Sequence, residues 1–178
     1  GVRDLSKAGE QYKVLAEVFS SVHSMNPQIS YFAFSRHISS LASQLVIDRP
    51  CGAANGYVAV GPNGNIYPCH RIVSEEYKLG NVNSCGSVDS QLDEGIRRTF
   101  AQATTSERQP CKHCWAQRIC GGSCYADSIY SQKSIMEAEE VHCKLLMLQI
   151  ELALSILVEQ VITMQPLEKR ELVGSPLG

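Results

Sequence analysis

The sequence predicts an α+β fold in which a short β-hairpin and a cysteine-rich region lie between helical segments. Residues 7–25 and 35–48 carry apolar side chains at helical spacing. Residues 57–67 have strand-forming side chains on both sides of a Gly-Pro-Asn-Gly turn. A further helical pattern covers residues 134–164. The predicted order is therefore two helices, a hairpin, a cysteine-rich region and a long helix.

Both N-terminal helical patterns are amphipathic. The first ends before Pro27, and the second stops before Arg49-Pro50 because a residue that precedes proline is driven out of the helical conformation. The apolar face of the first helix consists of Val14, Leu15, Val18, Phe19 and Val22. That of the second consists of Ile38, Leu41, Ala42 and Leu45. Each helix is expected to bury this face.

The hairpin is predicted from strands 57–60 and 65–67, joined by the turn 61–64. Gly64 supports the turn because glycine accepts a positive φ without steric cost. Farther along, Asp89 is a candidate N-cap for a short helix. The apolar side chains of that helix are Leu92, Ile96 and Phe100.

Composition and charge argue against some classes of partner. Of the 178 residues 44% are hydrophobic, and the formal net charge is -2. This balance gives no electrostatic signature of binding to nucleic acid or to an anionic membrane. Residues 1–11 lack the pattern of a signal peptide, and polar side chains interrupt the apolar stretch 145–164. We therefore expect a cytoplasmic chain that binds neither nucleic acid nor a membrane.

The eight cysteines are the distinctive feature of the composition. They are Cys51, Cys69, Cys85, Cys111, Cys114, Cys120, Cys124 and Cys143. Four of them form a C-x2-C-x5-C-x3-C run over residues 111–124. Thiolates at this density are soft ligands that favour zinc or an iron–sulfur cluster. Zinc sites commonly use two C-x2-C-like pairs, and this run contains only one.

The complete cysteine spacing resembles the signature of SPASM domains, which accompany radical S-adenosylmethionine enzymes. Here the signature is C-x12-G-x4-C from Cys51 through Gly64 to Cys69, then the run over residues 111–124, and then Cys143. Seven cysteines and one glycine agree together. The sequences around the cysteines are similar to those of the peptide-maturing branch, which includes enzymes that install thioether crosslinks.

The resemblance implies two auxiliary 4Fe-4S clusters. The implied ligands of the first cluster are Cys51, Cys69 and Cys124. Those of the second are Cys111, Cys114, Cys120 and Cys143. Cys85 either completes the first site or is a bystander, in which case one iron is open to a substrate thiolate. Gly121 and Gly122 are expected to let the backbone approach cluster sulfides.

The implied architecture is SPASM-like, with the hairpin and cysteine-rich loops around the two clusters and helices on either side. Residues 1–50 would be a helical segment, the end of a core domain or a linker. Residues 51–164 would be the iron–sulfur domain with its C-terminal helix, and residues 165–178 a flexible tail.

The sequence contains no C-x3-C-x2-C motif, which a radical S-adenosylmethionine core needs. The resemblance therefore implies that S-adenosylmethionine binds to a core domain missing from this chain, and that the chain alone is inactive. Its implied partners are that core and a peptide or protein substrate, and its catalytic residues are unknown. A stand-alone ferredoxin-like electron carrier and a zinc-stabilised interaction module are the alternative interpretations.

Overall fold

The computed structural model describes residues 5–84 and 92–163. The chain divides into two compact units, one formed by residues 1–47 with 140–178 and the other by residues 48–139. In this division the long C-terminal helix belongs with the N-terminal helices. The domain boundaries expected from the sequence, 1–50, 51–164 and 165–178, remain predictions, and the last of these segments lies outside the described residues.

The architecture is α+β, as predicted, with helices around a small antiparallel sheet. In chain order the elements are α1 (Leu5–Met25), α2 (Phe32–Ala42), β1 (Ala59–Val60), β2 (Asn65–Tyr67), β3 (Gly80–Asn81), α3 (Glu94–Gln102), α4 (Gln117–Cys120), α5 (Tyr125–Gln132) and α6 (Glu140–Thr163). Short 3-10 helices occur at Glu75–Tyr77 and Cys111–His113.

The helical unit packs α1 and α2 against α6. Its apolar core consists of Ala16, Phe19, Phe34 and Ile156. The rings of Phe19 and Phe34 lie 5.6 Å apart. These rings come from two helices that are separate in the sequence, so their contact fixes α1 and α2 against each other.

The predicted apolar faces of α1 and α2 are only partly correct. Phe19 is buried as expected, but Val14 and Val18 of α1 are exposed. In α2 the buried side chains are those of Phe34, His37 and Ser40. Leu45 lies beyond the end of α2 and is exposed, so its predicted burial was wrong.

Helix α6 is long and apolar enough to cross a membrane, judged by length and composition alone. Length and composition alone are weak evidence for a membrane span, and 22% of the apolar stretch is buried in the structure. Two of its polar side chains have partners in the same unit. Gln149 Nε2 donates to Tyr12 Oη at 2.9 Å, and Ser20 Oγ donates to Glu159 Oε2 at 3.5 Å.

The sheet of the second unit has the strand order β1-β2-β3, and both pairings are antiparallel. The predicted hairpin is present, with Ala59 opposite Tyr67 and Val60 opposite Ile66. Gly64 has φ +79°, so its predicted role in the turn is confirmed. The third strand was not predicted. It pairs Gly80 with Ile66 and extends the hairpin into a sheet.

An apolar cluster lies beneath this sheet and joins it to α3 and α5. Its buried members are Ala53, Ala54, Ile66, Cys69, Ile72, Leu79, Leu92, Phe100, Ala103, Tyr125, Ala126, Ile129 and Ile135. Ile66 and Ile72 are fully buried. Because these residues come from separate parts of the chain, the cluster holds the cysteine-bearing loops against one another.

Two predicted helix starts differ from the structure. Helix α3 begins at Glu94, and the Asp93 carboxylate caps it by accepting the Ile96 N–H at 2.8 Å. Asp89, the predicted cap, lies outside the described residues. The final helix begins at Glu140, not at residue 134.

Residues 134–139 form a turn and an isolated β-bridge instead of the first turns of α6. Gln109 N–H donates to Met136 O at 2.8 Å, and Ala138 N–H donates to Gln109 O at 2.7 Å. Gln109 thereby pairs with Glu137 as a residue of a neighbouring strand would. These two bonds occupy backbone groups that a helix would need for its own hydrogen bonds.

We expect Gly64→Ala to destabilise the hairpin. A Cβ at this position would lie 2.6 Å from Asn83 Nδ2, and the left-handed backbone adds a cost of about 1–2 kcal/mol for a non-glycine residue. The midpoint of thermal unfolding, followed by circular dichroism, should fall.

Gly9→Ala is the matched control, because its Cβ would make ordinary contact with Leu148 Cδ2 at 3.7 Å. Alanine at this helical position of α1 should raise stability by about 0.5–1 kcal/mol. Equal destabilisation by both substitutions would contradict the assigned turn.

Candidate metal centre

The three cysteines assigned to the first cluster lie around the same apolar cluster. Cys69 follows β2 and is buried within it, whereas Cys51 and Cys124 are half-buried and pack against it. Cys124 immediately precedes α5, at its N-cap position. The structure therefore brings together three thiols that are far apart in the sequence, and their role as ligands remains a prediction.

Backbone hydrogen bonds fix the loops that carry two of these thiols. The turn after Cys51 closes where Gly52 O accepts the Tyr57 N–H at 3.1 Å. Ala54 N–H donates to Pro68 O at 3.0 Å. This bond ties the turn to the residue that precedes the second signature cysteine, so the two loops are held side by side.

The hydroxyl of Tyr57 forms a hydrogen bond with Cys51 and lies within electrostatic range of Cys69 and Cys124. A side-chain hydrogen bond with Cys51 is the main cause that raises the pKa of Tyr57 well above its usual value. Partial burial and the negative charges of Cys51, Cys69 and Cys124 add to the rise. Tyr57 therefore stays protonated at neutral pH and offers its O–H to sulfur.

A cation contacts one of these thiols, that of Cys124. Arg71 Nη1 donates to Cys124 Sγ at 3.2 Å, and Arg71 Nη2 donates to Asp127 Oδ1 at 2.5 Å. Tyr130 Oη donates to Arg71 O at 3.0 Å. The Arg71 side chain is 47% exposed. Solvent and the carboxylate therefore offset much of its charge at the sulfur.

Three of the four cysteines assigned to the second cluster lie on short helical turns. Cys111 and Cys120 are buried, and Cys114 is half-buried. Cys114 N–H donates to Cys111 O at 2.9 Å. Burial raises the pKa of the Cys111 thiol, Arg108 opposes the rise, and Cys114 adds to it. These effects place Cys111 close to both residues.

Gly121 and Gly122, predicted to allow close approach of the backbone, have φ +76° and +86°. A Cβ on Gly122 would lie 2.7 Å from Arg108 Nη1 and 3.7 Å from Cys111 Sγ. Any side chain at this position would therefore displace the guanidinium. The glycine keeps a charged group and a candidate ligand sulfur next to the backbone.

The remaining two cysteines are placed differently. Cys143 lies on α6, in the helical unit, whereas Cys111, Cys114 and Cys120 lie in the unit of residues 48–139. Cys85 lies outside the described residues, so its assignment stays a prediction.

The described cysteines supply a set of reduced thiols. In residues 5–84 and 92–163, no disulfide joins the seven cysteines, and no three His, Cys, Asp or Glu side chains converge tightly enough to enclose one metal ion. Thiolates are soft donors, so the residue types of this set fit an iron–sulfur cluster.

Comparison with known proteins identifies this part of the chain. Residues 51–115 match a family model described as SPASM, an iron–sulfur cluster-binding domain. This segment is a SPASM domain. The matched residues include Cys51, Cys69, Cys111 and Cys114. A search of curated protein sequences finds no match.

A solved structure shares the fold over most of the chain. It is described as a histidine-tagged anSMEcpe with bound AdoMet, and it matches with a TM-score of 0.62 and 17% sequence identity. The match covers 90% of this chain and 42% of that chain. The present chain therefore spans less than half the length of that protein.

Sequence reasoning missed three side chains that contact or approach the thiols of the SPASM domain and its C-terminal flank: Tyr57, Arg71 and Arg108. Each lies only a few positions from a signature residue, but so do many side chains that point elsewhere. Proximity in the sequence was the only signal for these residues, and it does not show which way a side chain points. Packing decides which of these side chains face sulfur.

We expect Tyr57→Phe to lower the reduction potential of one cluster while iron content stays unchanged. The substitution keeps the ring but removes a hydrogen bond to the sulfur of Cys51, a candidate ligand, and such bonds favour the reduced state. A redox titration followed by electron paramagnetic resonance measures the change. Tyr77→Phe is the control, since the Tyr77 ring packs against Phe100. Equal shifts in both variants would contradict the placement of Tyr57.

Proposed function

We propose that this chain is an auxiliary iron–sulfur domain that works with a radical S-adenosylmethionine core to modify a peptide or protein. Two 4Fe-4S clusters would be held by the cysteine sets given above. The SPASM match supports cluster binding, and the cysteine order supports the count of two. The finer proposal is a role in forming a thioether from a substrate cysteine.

The convergence of Cys51, Cys69 and Cys124 beside one hydroxyl carries the proposal. These thiols come from a loop, a strand end and a helix start, and they share one apolar cluster. Thiolates at the edge of an apolar core have few competing water ligands, which favours a soft metal group. Tyr57 and Arg71 would then hold the sulfurs in place by donating hydrogen bonds.

A cavity beside Cys51 supports substrate positioning as the role of this site. It has a volume of about 540 Å³, and its wall includes Asp48, Arg49 and Asn55. Arg49 Nη2 donates to Ala101 O at 3.0 Å, so the guanidinium is held in position. A concave site with a few fixed polar groups is a typical binding site for a small polar segment.

The chemistry would be divided between this chain and its partner. When bound, the clusters would supply electron transfer and, at an iron without a protein ligand, a place for a substrate thiolate. The residues of this chain would bind, orient and shield. The radical chemistry would belong to the core, which fits the 42% coverage of the AdoMet-bound structure. We also propose a cytoplasmic location, because a reducing compartment preserves thiols.

Metal analysis tests the cluster content. After anaerobic reconstitution we expect about eight irons and eight sulfides per chain, since each cluster holds four of each. Cys69→Ser should remove one cluster, and Cys114→Ser should remove the other. The spectral features that are lost in the two variants should together add up to the spectrum of the wild type.

Other outcomes would reject parts of this proposal. Stoichiometric zinc without iron would favour the interaction module. Iron for a single cluster would reject the two-cluster assignment. Full iron with reversible electron transfer, but without affinity for any radical S-adenosylmethionine core, would favour the ferredoxin-like carrier.

The fourth position of the first cluster gives a separate prediction. If that iron is open, Cys85→Ala should be spectroscopically silent, and a cysteine-containing peptide should change the spectrum of one wild-type cluster. The same peptide with serine in place of cysteine is the control, because an alcohol binds iron far more weakly than a thiolate at neutral pH. A changed spectrum in Cys85→Ala without peptide would assign Cys85 as a ligand instead.

A further inference from the structure

Arg108 is a fully buried charge in the cysteine-bearing unit, with a relative exposure of 0%. Its guanidinium donates from Nε to Ile135 O at 2.9 Å, from Nη1 to Ser123 O at 2.9 Å and from Nη2 to Ser128 Oγ at 2.6 Å. It also lies over the ring of Tyr125, 5.1 Å from the centroid. Its position is therefore fixed on several sides.

None of these partners carries a negative charge. Within residues 5–84 and 92–163, Arg108 makes hydrogen bonds only to backbone carbonyls and to serine hydroxyls. In the same part of the chain, other arginines, such as Arg71 and Arg97, do pair with a carboxylate. A buried cation is costly unless an opposite charge lies near it. The site therefore calls for an anion that the apolar cluster does not supply.

The sulfur of Cys111 is a candidate for that anion. Arg108 Nη1 and Cys111 Sγ lie 2.7 Å and 3.7 Å from one point, the position that a Cβ on Gly122 would take. The two atoms are therefore separated by no more than the sum of these distances. The guanidinium faces the sulfur across a glycine whose φ of +86° and missing side chain leave the space open.

We propose that Arg108 is the built-in counter-ion of the cluster held by Cys111 and raises the reduction potential of that cluster. A thiolate-ligated 4Fe-4S cluster is a net anion, and reduction makes it more negative. A fixed cation in a low-dielectric surrounding favours the reduced state strongly. This inference rests on the second cluster of the proposed function.

Arg71 is the natural contrast, because it contacts a thiol of the other set under different conditions. It is 47% exposed and paired with Asp127, so its charge acts through solvent and is partly cancelled. Arg108 has neither source of screening. Removing the charge at Arg108 should therefore change the reduction potential of the second cluster strongly. Removing the charge at Arg71 should change the reduction potential of the first cluster much less.

The test uses the reconstituted chain and three variants: Arg108→Gln, Arg108→Lys and Arg71→Gln. Iron and sulfide are counted first, and potentials are then measured by redox titration with electron paramagnetic resonance. Arg108→Gln should lower the equilibrium constant for reduction of one cluster by at least about tenfold, which is 59 mV for one electron. Arg108→Lys should restore most of it, since it keeps the charge. Arg71→Gln should cause a smaller change, in the other cluster.

The outcomes separate the charge from the hydrogen bonds. Unchanged potentials in Arg108→Gln, or equal shifts in the Gln and Lys variants, would overturn the inference. If the Gln variant loses the cluster, retention of that cluster in the Lys variant supports the role of charge. Loss in both variants overturns it in favour of a packing role.

If the wild type lacks the second cluster, the proposed function fails and this inference fails with it. A normal iron content with unchanged reduction potentials rejects this inference alone.

Discussion

The cysteine-bearing unit depends on the packing of one buried ring, that of Tyr125. The ring meets Phe100 edge to face with centroids 5.3 Å apart, and Arg108 lies over it. Its hydroxyl donates to Ala103 O at 2.9 Å. Because Tyr125 directly follows Cys124, these contacts fix the start of α5. They thereby hold the thiol of Cys124 against the apolar cluster on which Cys51 and Cys69 also pack.

The two groups of thiols differ in electrostatics, although both consist of cysteine. The first group lies beside a hydroxyl, a half-exposed ion pair and a cavity. In the second group, Cys111 is buried near a buried cation whose hydrogen-bond partners are uncharged. A cavity next to a thiol suits binding, whereas a fixed charge next to a thiol tunes the potential of a metal group held there. The fold thus provides two chemically distinct positions.

Local patterns predicted the elements whose stability is local. Helix α1 and the hairpin follow from periodicity and turn residues, and the positive φ of Gly64 follows from its place in the turn. Where distant segments compete, the patterns failed. The third strand forms because Leu79 N–H reaches Ile66 O at 2.8 Å. Residues 134–139 pair with Gln109 instead of starting the last helix. Neither partner is visible in a local window.

The sequence by itself determined which thiols are present, their spacing and the class of metal group they favour, because ligand chemistry and turn geometry depend on residue type and local order. The tertiary structure alone decided that Cys51, Cys69 and Cys124 pack on one apolar cluster, and it placed Tyr57 near Cys51 and Arg108 near Cys111. Convergence of this kind results from the burial of an apolar cluster assembled from the whole unit. Burial then sets the strength of each charge, since the same guanidinium is screened at Arg71 and unscreened at Arg108.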